Sequence, residues 1–282
     1  MASITIKGYR SAISQVFRYR GLDLTQCPEL NALFKNFDLE IPKKSLSIPK
    51  WDLSLVLMSL MKSPYEPLHK ASLKDVTMKT AFLIALASAK RISELQGLSG
   101  VVSHSHQWKK VTLTFVPEFV AKTQVPGRSS TRLAPVDIPA LSQVLGDEDE
   151  DRVLCPVRSL RRYLKLTEDF RQDNHRLFLS CHSKKRRSVS KNTISHWLSF
   201  VIRQAYAEVS AADQALTKIR PHEIRALSTS LLFKKTLSLQ DVMAAASWRS
   251  NSTFSSFYLR DLAHQSLDLH SLGPIVAAQQ VV

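Results

Sequence analysis

Four short stretches carry side chains that could bind charge, move a proton or act as a nucleophile. They are Ala89-Lys-Arg-Ile-Ser-Glu-Leu95, Arg220-Pro-His-Glu-Ile-Arg225, Ala246-Ser-Trp-Arg-Ser-Asn-Ser-Thr-Phe254 and Phe257-Tyr-Leu-Arg260. Arginine offers anionic oxygens a planar fork that keeps its charge, and Arg91 and Arg225 are two such groups. His222 stands three residues before Arg225, so both share one face of a helix. An imidazole, with a reference pKa near ~6.5, can donate or accept a proton. Trp248 adds an indole N–H, a donor with no acceptor role. Tyr258 carries a phenol of reference pKa near ~10, a nucleophile once its proton is taken. Each residue also has an ordinary use. Arg91 can cap a helix, Arg225 can pair with a carboxylate, and His222 can be structural after Pro221. Trp248 can be a core aromatic, and Tyr258 can belong to a cluster with Phe254 and Phe257.

Composition narrows the class. The 282 residues include 39 Lys and Arg against 24 Asp and Glu, a formal net charge of +15. That excess points toward a polyanion, nucleic acid first. Hydrophobic residues make up 44%, enough for a globular core and too much for a disordered chain. With 7 Gly and 12 Pro, collagen-like and flexible low-complexity architectures are excluded. No run approaches the ~20 apolar residues of a membrane helix, and the N-terminus lacks a signal-peptide pattern. Cys27, Cys155 and Cys181 are odd in number and widely spaced, which suggests a reducing, intracellular setting. His104-x-His106 and Cys181-His182 have no matching partner pair, so no metal site is expected. Neither a Gly-rich phosphate loop nor a Gly-x-Ser-x-Gly elbow is present.

The elements that must position these residues are read from periodicity and caps. Thr5–Arg20 reads as an amphipathic helix stopped by Gly21, and Pro28–Lys35 as a second, short one. Residues 41–50 read as a linker with two prolines. Trp51–Met61 is periodic. Ser72-Leu-Lys-Asp75 resembles a capping box opening an all-round apolar helix to Ala89. Lys109–Val116 alternates as a strand does, with Val120–Val125 and Arg132–Ile138 as its expected partners and a turn at Pro126-Gly127. An acidic loop is expected over Gly146–Asp151, a basic helix over Val157–Leu166 and a short strand over Arg176–Ser180. A basic loop comes next, His182–Lys191. Ser190 or Asn192 then caps a helix through Ala207. Leu216–Leu232, Leu239–Ala246 and Thr253–Leu262 read as helical. The expected class is mostly α with a small antiparallel β-sheet.

Taken together, the four stretches resemble the tyrosine recombinase (phage integrase-like) family. Trp51-Asp-Leu-Ser-Leu-Val-Leu57, Pro67-Leu-His-Lys-Ala-Ser-Leu-Lys74 and Ala245-Ala-Ser-Trp-Arg-Ser resemble the branch carried by DIRS-type retrotransposons. The likeness runs from about Pro49 to Asp261. Trp248 follows Arg225 by 23 residues, Tyr258 follows Trp248 by 10, and Lys122 follows Arg91 by 31, spacings compatible with the family's. The resemblance implies that family's α+β catalytic-domain fold and its reaction. Arg91 and Arg225 would clamp the scissile phosphate, and their charge would count most in the transition state. His222 would donate to the phosphate or accept a proton, and Trp248 would donate its indole N–H. Tyr258 would attack, leaving a 3′-phosphotyrosyl link and a free 5′-hydroxyl, without ATP, metal or other cofactor. Lys122 would be the general acid for the leaving oxygen, with Lys109 and Lys110 nearby as alternatives. Glu94 would hold Arg91 in place or be an ordinary surface carboxylate.

The resemblance also implies domains and partners. Residues 1–46 would be a partial helical core-binding segment with its linker, 47–270 the catalytic domain and 271–282 a tail. The family's core-binding domain is longer, so the chain is expected to be a fragment or a shortened reading frame. Ala226 stands where the family's second box usually has a second His. Lys43, Lys44, Lys184, Lys185, Arg186 and Arg187 would grip flanking phosphates, and Lys184–Arg187 could also serve nuclear import. Double-stranded DNA would be the partner and a tetramer on DNA the assembly, in the nucleus, serving integration of a mobile element. Two competing readings are a non-catalytic DNA-binding protein derived from such an element and a type IB topoisomerase-like relaxing enzyme.

Overall fold

The computed structural model describes residues 3–40, 51–121, 133–143, 153–171, 174–181, 187–207, 219, 221–246, 248 and 251–260. The chain divides into two compact units, Met1–Leu46 and Ser47–Val282. In the first, α1 (Ser3–Arg18) and α2 (Pro28–Glu40) are joined by a 3₁₀ turn, Leu24–Gln26. Asp23 caps that turn by accepting from the Thr25 amide at 2.9 Å. Arg10 ties the two helices together. It donates to Asn31 at 2.6 Å and lies 4.7 Å over the Phe34 ring.

The second unit is built around one central helix. Here α3 is Leu53–Leu60 and α4 is Leu73–Ser88. Ser72 accepts from the Asp75 amide at 3.2 Å, so the cap read from the sequence starts α4. From Val76 to Ser88 every residue of α4 is buried. A helix apolar on all sides needs cover on all sides. The cover comes from α6 (Pro156–Thr167), α7 (Lys191–Ala207) and α8 (His222–Thr236). Lys79 is the charged exception in that helix. Its ammonium donates to Glu66 at 2.6 Å and to the Leu60 carbonyl at 2.8 Å, and Arg158 of α6 meets the same carboxylate at 2.7 Å. A buried lysine must be paired in this way or shed its proton.

The sheet is antiparallel, in the order β1-β2-β3: Leu98–His104, Lys110–Phe115 and Val136–Pro139. Val111 and Leu113 pair with Ile138 and Val136, and all four face the core. The mostly helical chain with its small three-stranded antiparallel sheet fits the α+β class. The first partner of the central strand differs from expectation. It is Leu98–His104, not Val120–Val125, of which Val120 and Ala121 are described and lie outside any strand. Gly100 and two serines hide the alternation, and the register shifts between Leu98 and Val102. Glycine suits that point because a Cβ there would come within 3.1 Å of the Arg176 carbonyl. Arg176–Ser180 forms isolated bridges, to Ser99 and from Leu179 to Ser188, instead of a strand. The expected turn at Pro126-Gly127 and the acidic loop at Gly146–Asp151 lie outside the described residues.

The junction after α4 sets the direction in which the chain leaves the core. Ala89 ends the helix at φ 49°, ψ 24°, a left-handed conformation that glycine adopts freely and a Cβ resists. It turns the chain so that α5 (Ile92–Gln96) starts three residues later. Replacing Ala89 with Gly should therefore relieve roughly 1–2 kcal/mol of local strain, less about 0.5–1 kcal/mol from the freer unfolded chain. A rise in the urea midpoint at unchanged slope is the expected result; a lower midpoint would contradict the strain.

Candidate active site

Arg91 occupies the N-cap of α5, and the cap is reciprocal. Its backbone N–H donates to Glu94 Oε2 at 2.8 Å, and its guanidinium donates to Oε1 at 2.6 Å. Glu94 is buried, and it also reaches a residue far along the chain. Arg225, in the first turn of α8, donates to Glu94 Oε2 at 3.3 Å. One carboxylate thus holds two guanidiniums. The ordinary uses weighed for Arg91 and Arg225, helix cap and carboxylate partner, are both realised, and in one cluster. A second bond from Arg225 runs to the Ala246 carbonyl at 2.6 Å, at the end of α9 (Leu239–Ala246).

Burial works against every charge here, and the neighbours decide the outcome. Burial acts to raise the Glu94 carboxyl, but the Arg91 amide and the two guanidiniums hold it below the usual glutamate range. Burial pushes Arg225 down to about 10, helped by Arg91 and opposed by Glu94 and Tyr258. Arg225 remains charged at neutral pH.

The aromatic wall is built from the C-terminal segment. The Trp248 indole is buried, and its ring centroid lies 4.5 Å from that of Tyr258. The Arg225 guanidinium carbon is 4.8 Å from the Trp248 ring centre and 5.5 Å from the Tyr258 ring centre. Residues Asn251–Thr253 form one helical turn, and Phe254–Tyr258 then widens into a π turn closed by the Leu259 amide on the Phe254 carbonyl at 2.8 Å. The sequence reads as plain helix through Leu262, but the helical stretch ends at Tyr258 and Leu259 is extended. Ser230 of α8 accounts for the ending. Its hydroxyl donates to the Tyr258 carbonyl at 3.1 Å and accepts from the Arg260 amide at 3.0 Å.

Arg91, His222, Arg225 and Tyr258 line one cavity of about 460 Å³. His222 is the exposed first residue of α8, and Tyr258 is half-buried. Lys90, Lys191, Asn192 and Ser195 line the same space. In the sequence Lys90 stands out only as a member of the Ala89–Leu95 stretch, and Lys191 only as the end of a basic loop. The signals were Lys90 beside Arg91 in the chain and Lys191 beside the Ser190 cap, which accepts from the Thr193 amide at 3.2 Å. Two buried donors at the site, Arg225 Nε and Trp248 Nε1, have no acceptor among the described residues. Such donors suit an anionic ligand.

Lys122, Lys43, Lys44, Lys184, Lys185 and Arg186 are outside the described residues. Arg187 is exposed and does not line the cavity. Lys109 and Lys110 do not line it either, and Lys110 pairs with Asp137 across the sheet at 3.3 Å. His104 stacks on Trp108 at 4.0 Å between ring centres. Among the described residues, no three His, Cys, Asp or Glu side chains gather in a metal-binding group, and no helix is long and apolar enough to cross a membrane.

No family model matches the chain, and a search of curated proteins finds no match either.

The shared carboxylate makes a direct expectation. Glu94→Gln leaves the buried Arg225 and the partly buried Arg91 with a neutral partner and should cost about 3 kcal/mol near neutral pH. A carboxyl whose folded pKa is depressed adds stability above its usual pKa, here 4.5, and loses it as the pH falls through the lower folded value. Chemical denaturation across pH should show the wild-type advantage full above pH 4.5 and shrinking below it. An advantage independent of pH would mean that the charge of Glu94 is not what holds the cluster.

Proposed function

We propose that this protein is a DNA strand transferase of the tyrosine recombinase type, cutting and rejoining double-stranded DNA through Tyr258. The observation that carries the reading is the meeting of Arg91, His222, Arg225 and Tyr258 around one cavity, with Trp248 against both Arg225 and Tyr258. These residues come from four separate stretches of the chain. Their types are those a metal-free phosphoryl transfer needs.

A scissile phosphate in the cavity meets two guanidiniums on its non-bridging oxygens, and their pull grows as negative charge builds in the transition state. The two donors with no acceptor among the described residues, Arg225 Nε and Trp248 Nε1, supply further hydrogen bonds to those oxygens. The Arg225 guanidinium carbon stands 5.5 Å from the centre of the Tyr258 ring, so the proposed nucleophile and the phosphate's cation share one wall. His222 is the proton acceptor at the cavity mouth. The phosphorus–5′-oxygen bond breaks as the tyrosyl bond forms, and the reverse step reseals the strand. Lys122 remains the proposed donor to the leaving oxygen. Integration of a DIRS-like mobile element, by a DNA-bound tetramer in the nucleus, is the biological setting proposed for this activity.

A nicked suicide substrate tests the reading. The wild-type protein should form a denaturant-resistant adduct that Tyr258→Phe abolishes while still binding DNA. Arg91→Ala and Arg225→Ala should each slow adduct formation roughly 10²–10³-fold. Binding should weaken steeply with added salt, as counterion release requires. Salt-sensitive binding with no adduct on any substrate favours the non-catalytic DNA-binding alternative.

A further inference from the structure

We propose that Lys90 is a positioning residue of this site: by gripping the end of α9 together with Arg225, it sets where Trp248 stands. Its consequence for rate rests on the strand-transfer reading. Its geometric part does not.

Three observations converge on it. The left-handed turn at Ala89 brings Lys90, like Arg91, to the cavity wall. The Lys90 ammonium donates to the Ala245 carbonyl at 3.4 Å, and Arg225 donates to the next carbonyl, Ala246, at 2.6 Å. These are the last two carbonyls of α9, where a helix has no partners of its own for its C=O groups and the negative end of its dipole attracts cations. Trp248 comes two residues later, its amide on the Met243 carbonyl at 3.0 Å. The placement of the indole is therefore inherited from α9, and α9 is anchored at that end by two cations from α8 and from the α4–α5 junction.

A charged group is costly in this spot. Burial lowers the Lys90 pKa, Arg225 and Arg91 lower it further, and Glu94 opposes them. A methionine of similar length would avoid that cost but would leave the Ala245 carbonyl without its ammonium. The role assigned to the charge here rests on the bond to the Ala245 carbonyl at the end of α9.

The test reads the tryptophan directly. The chain has four tryptophans, Trp51, Trp108, Trp197 and Trp248, and their indole N–H signals can be recorded by ¹⁵N NMR, with Trp248 assigned by its loss in Trp248→Phe. Lys90→Met should move the Trp248 signal and leave the other three in place, and Lys90→Arg should largely restore it. If Lys90→Met does not fold, Lys90→Gln serves in its stead. In the adduct assay, the neutral variant should slow cleavage roughly 10- to 100-fold with DNA affinity little changed. In a Trp248→Phe background the same change should cost only about 3-fold or less, because the two act as one unit. An unmoved Trp248 signal overturns the proposal. So does a full multiplicative loss in the Trp248→Phe background, which would place Lys90 on the substrate in its own right. If the wild-type protein forms no adduct, the strand-transfer reading fails, while the indole signals still decide the positioning of Trp248.

Discussion

Glu94 is buried between two guanidiniums that would repel each other without it. Arg91 comes from the start of α5 and Arg225 from α8, 134 positions along the chain. Neither could be held at the same cavity by local structure alone. The carboxylate satisfies three donors at once: the Arg91 amide, the Arg91 guanidinium and the Arg225 guanidinium. Breaking such a buried cluster is strongly unfavourable because it strands a charge. The cluster therefore acts as a spacer as well as a tether, fixing how far apart two cations stand.

Around that spacer, the fold supplies rigidity on one side and reach on the other. The deeply buried α4 delivers Arg91 from a helix covered by α6, α7 and α8. The opposite wall is made from smaller pieces. These are α9, one helical turn and a π turn, packed through Phe254, Val242 and Leu232 around Trp248. This second core is small, and polar bonds do much of its anchoring. Arg225 and Lys90 bind the end of α9, and Ser230 binds both sides of Leu259.

Much of this arrangement was legible in the sequence where the signal is local. Ser72 and Ser190 announced their helices, because a capping hydroxyl needs only the amide three residues on. The alternation of Val111, Leu113 and Phe115 announced the central strand. Of the residues singled out by type and spacing, Arg91, His222, Arg225 and Tyr258 line one cavity. What stayed hidden depends on distant partners. The strand Leu98–His104 breaks its alternation at Gly100, where the Arg176 carbonyl approaches. Glu94 read as a partner of Arg91, since three residues on a helix are neighbours, whereas its second bond to Arg225 exists only in the folded chain. The left-handed Ala89 gave no signal, for only Gly, and at times Asn or Asp, is expected in that conformation. The π turn was hidden because its cause, Ser230, lies 28 positions upstream of Tyr258.

The Ser230 hydroxyl has a further consequence for a nucleophile that becomes covalently loaded. It binds the Tyr258 carbonyl and the Arg260 amide together, so the backbone bearing the phenol is moored to α8 at the ring's own residue and just downstream of it. Arg225 stands on the same helix. On the proposed chemistry, a severed DNA end joined to Tyr258 would be leashed to the very element that carries the phosphate's cation. Its search volume for resealing would then be set by the rotation of one side chain, and not by the wandering of a loop.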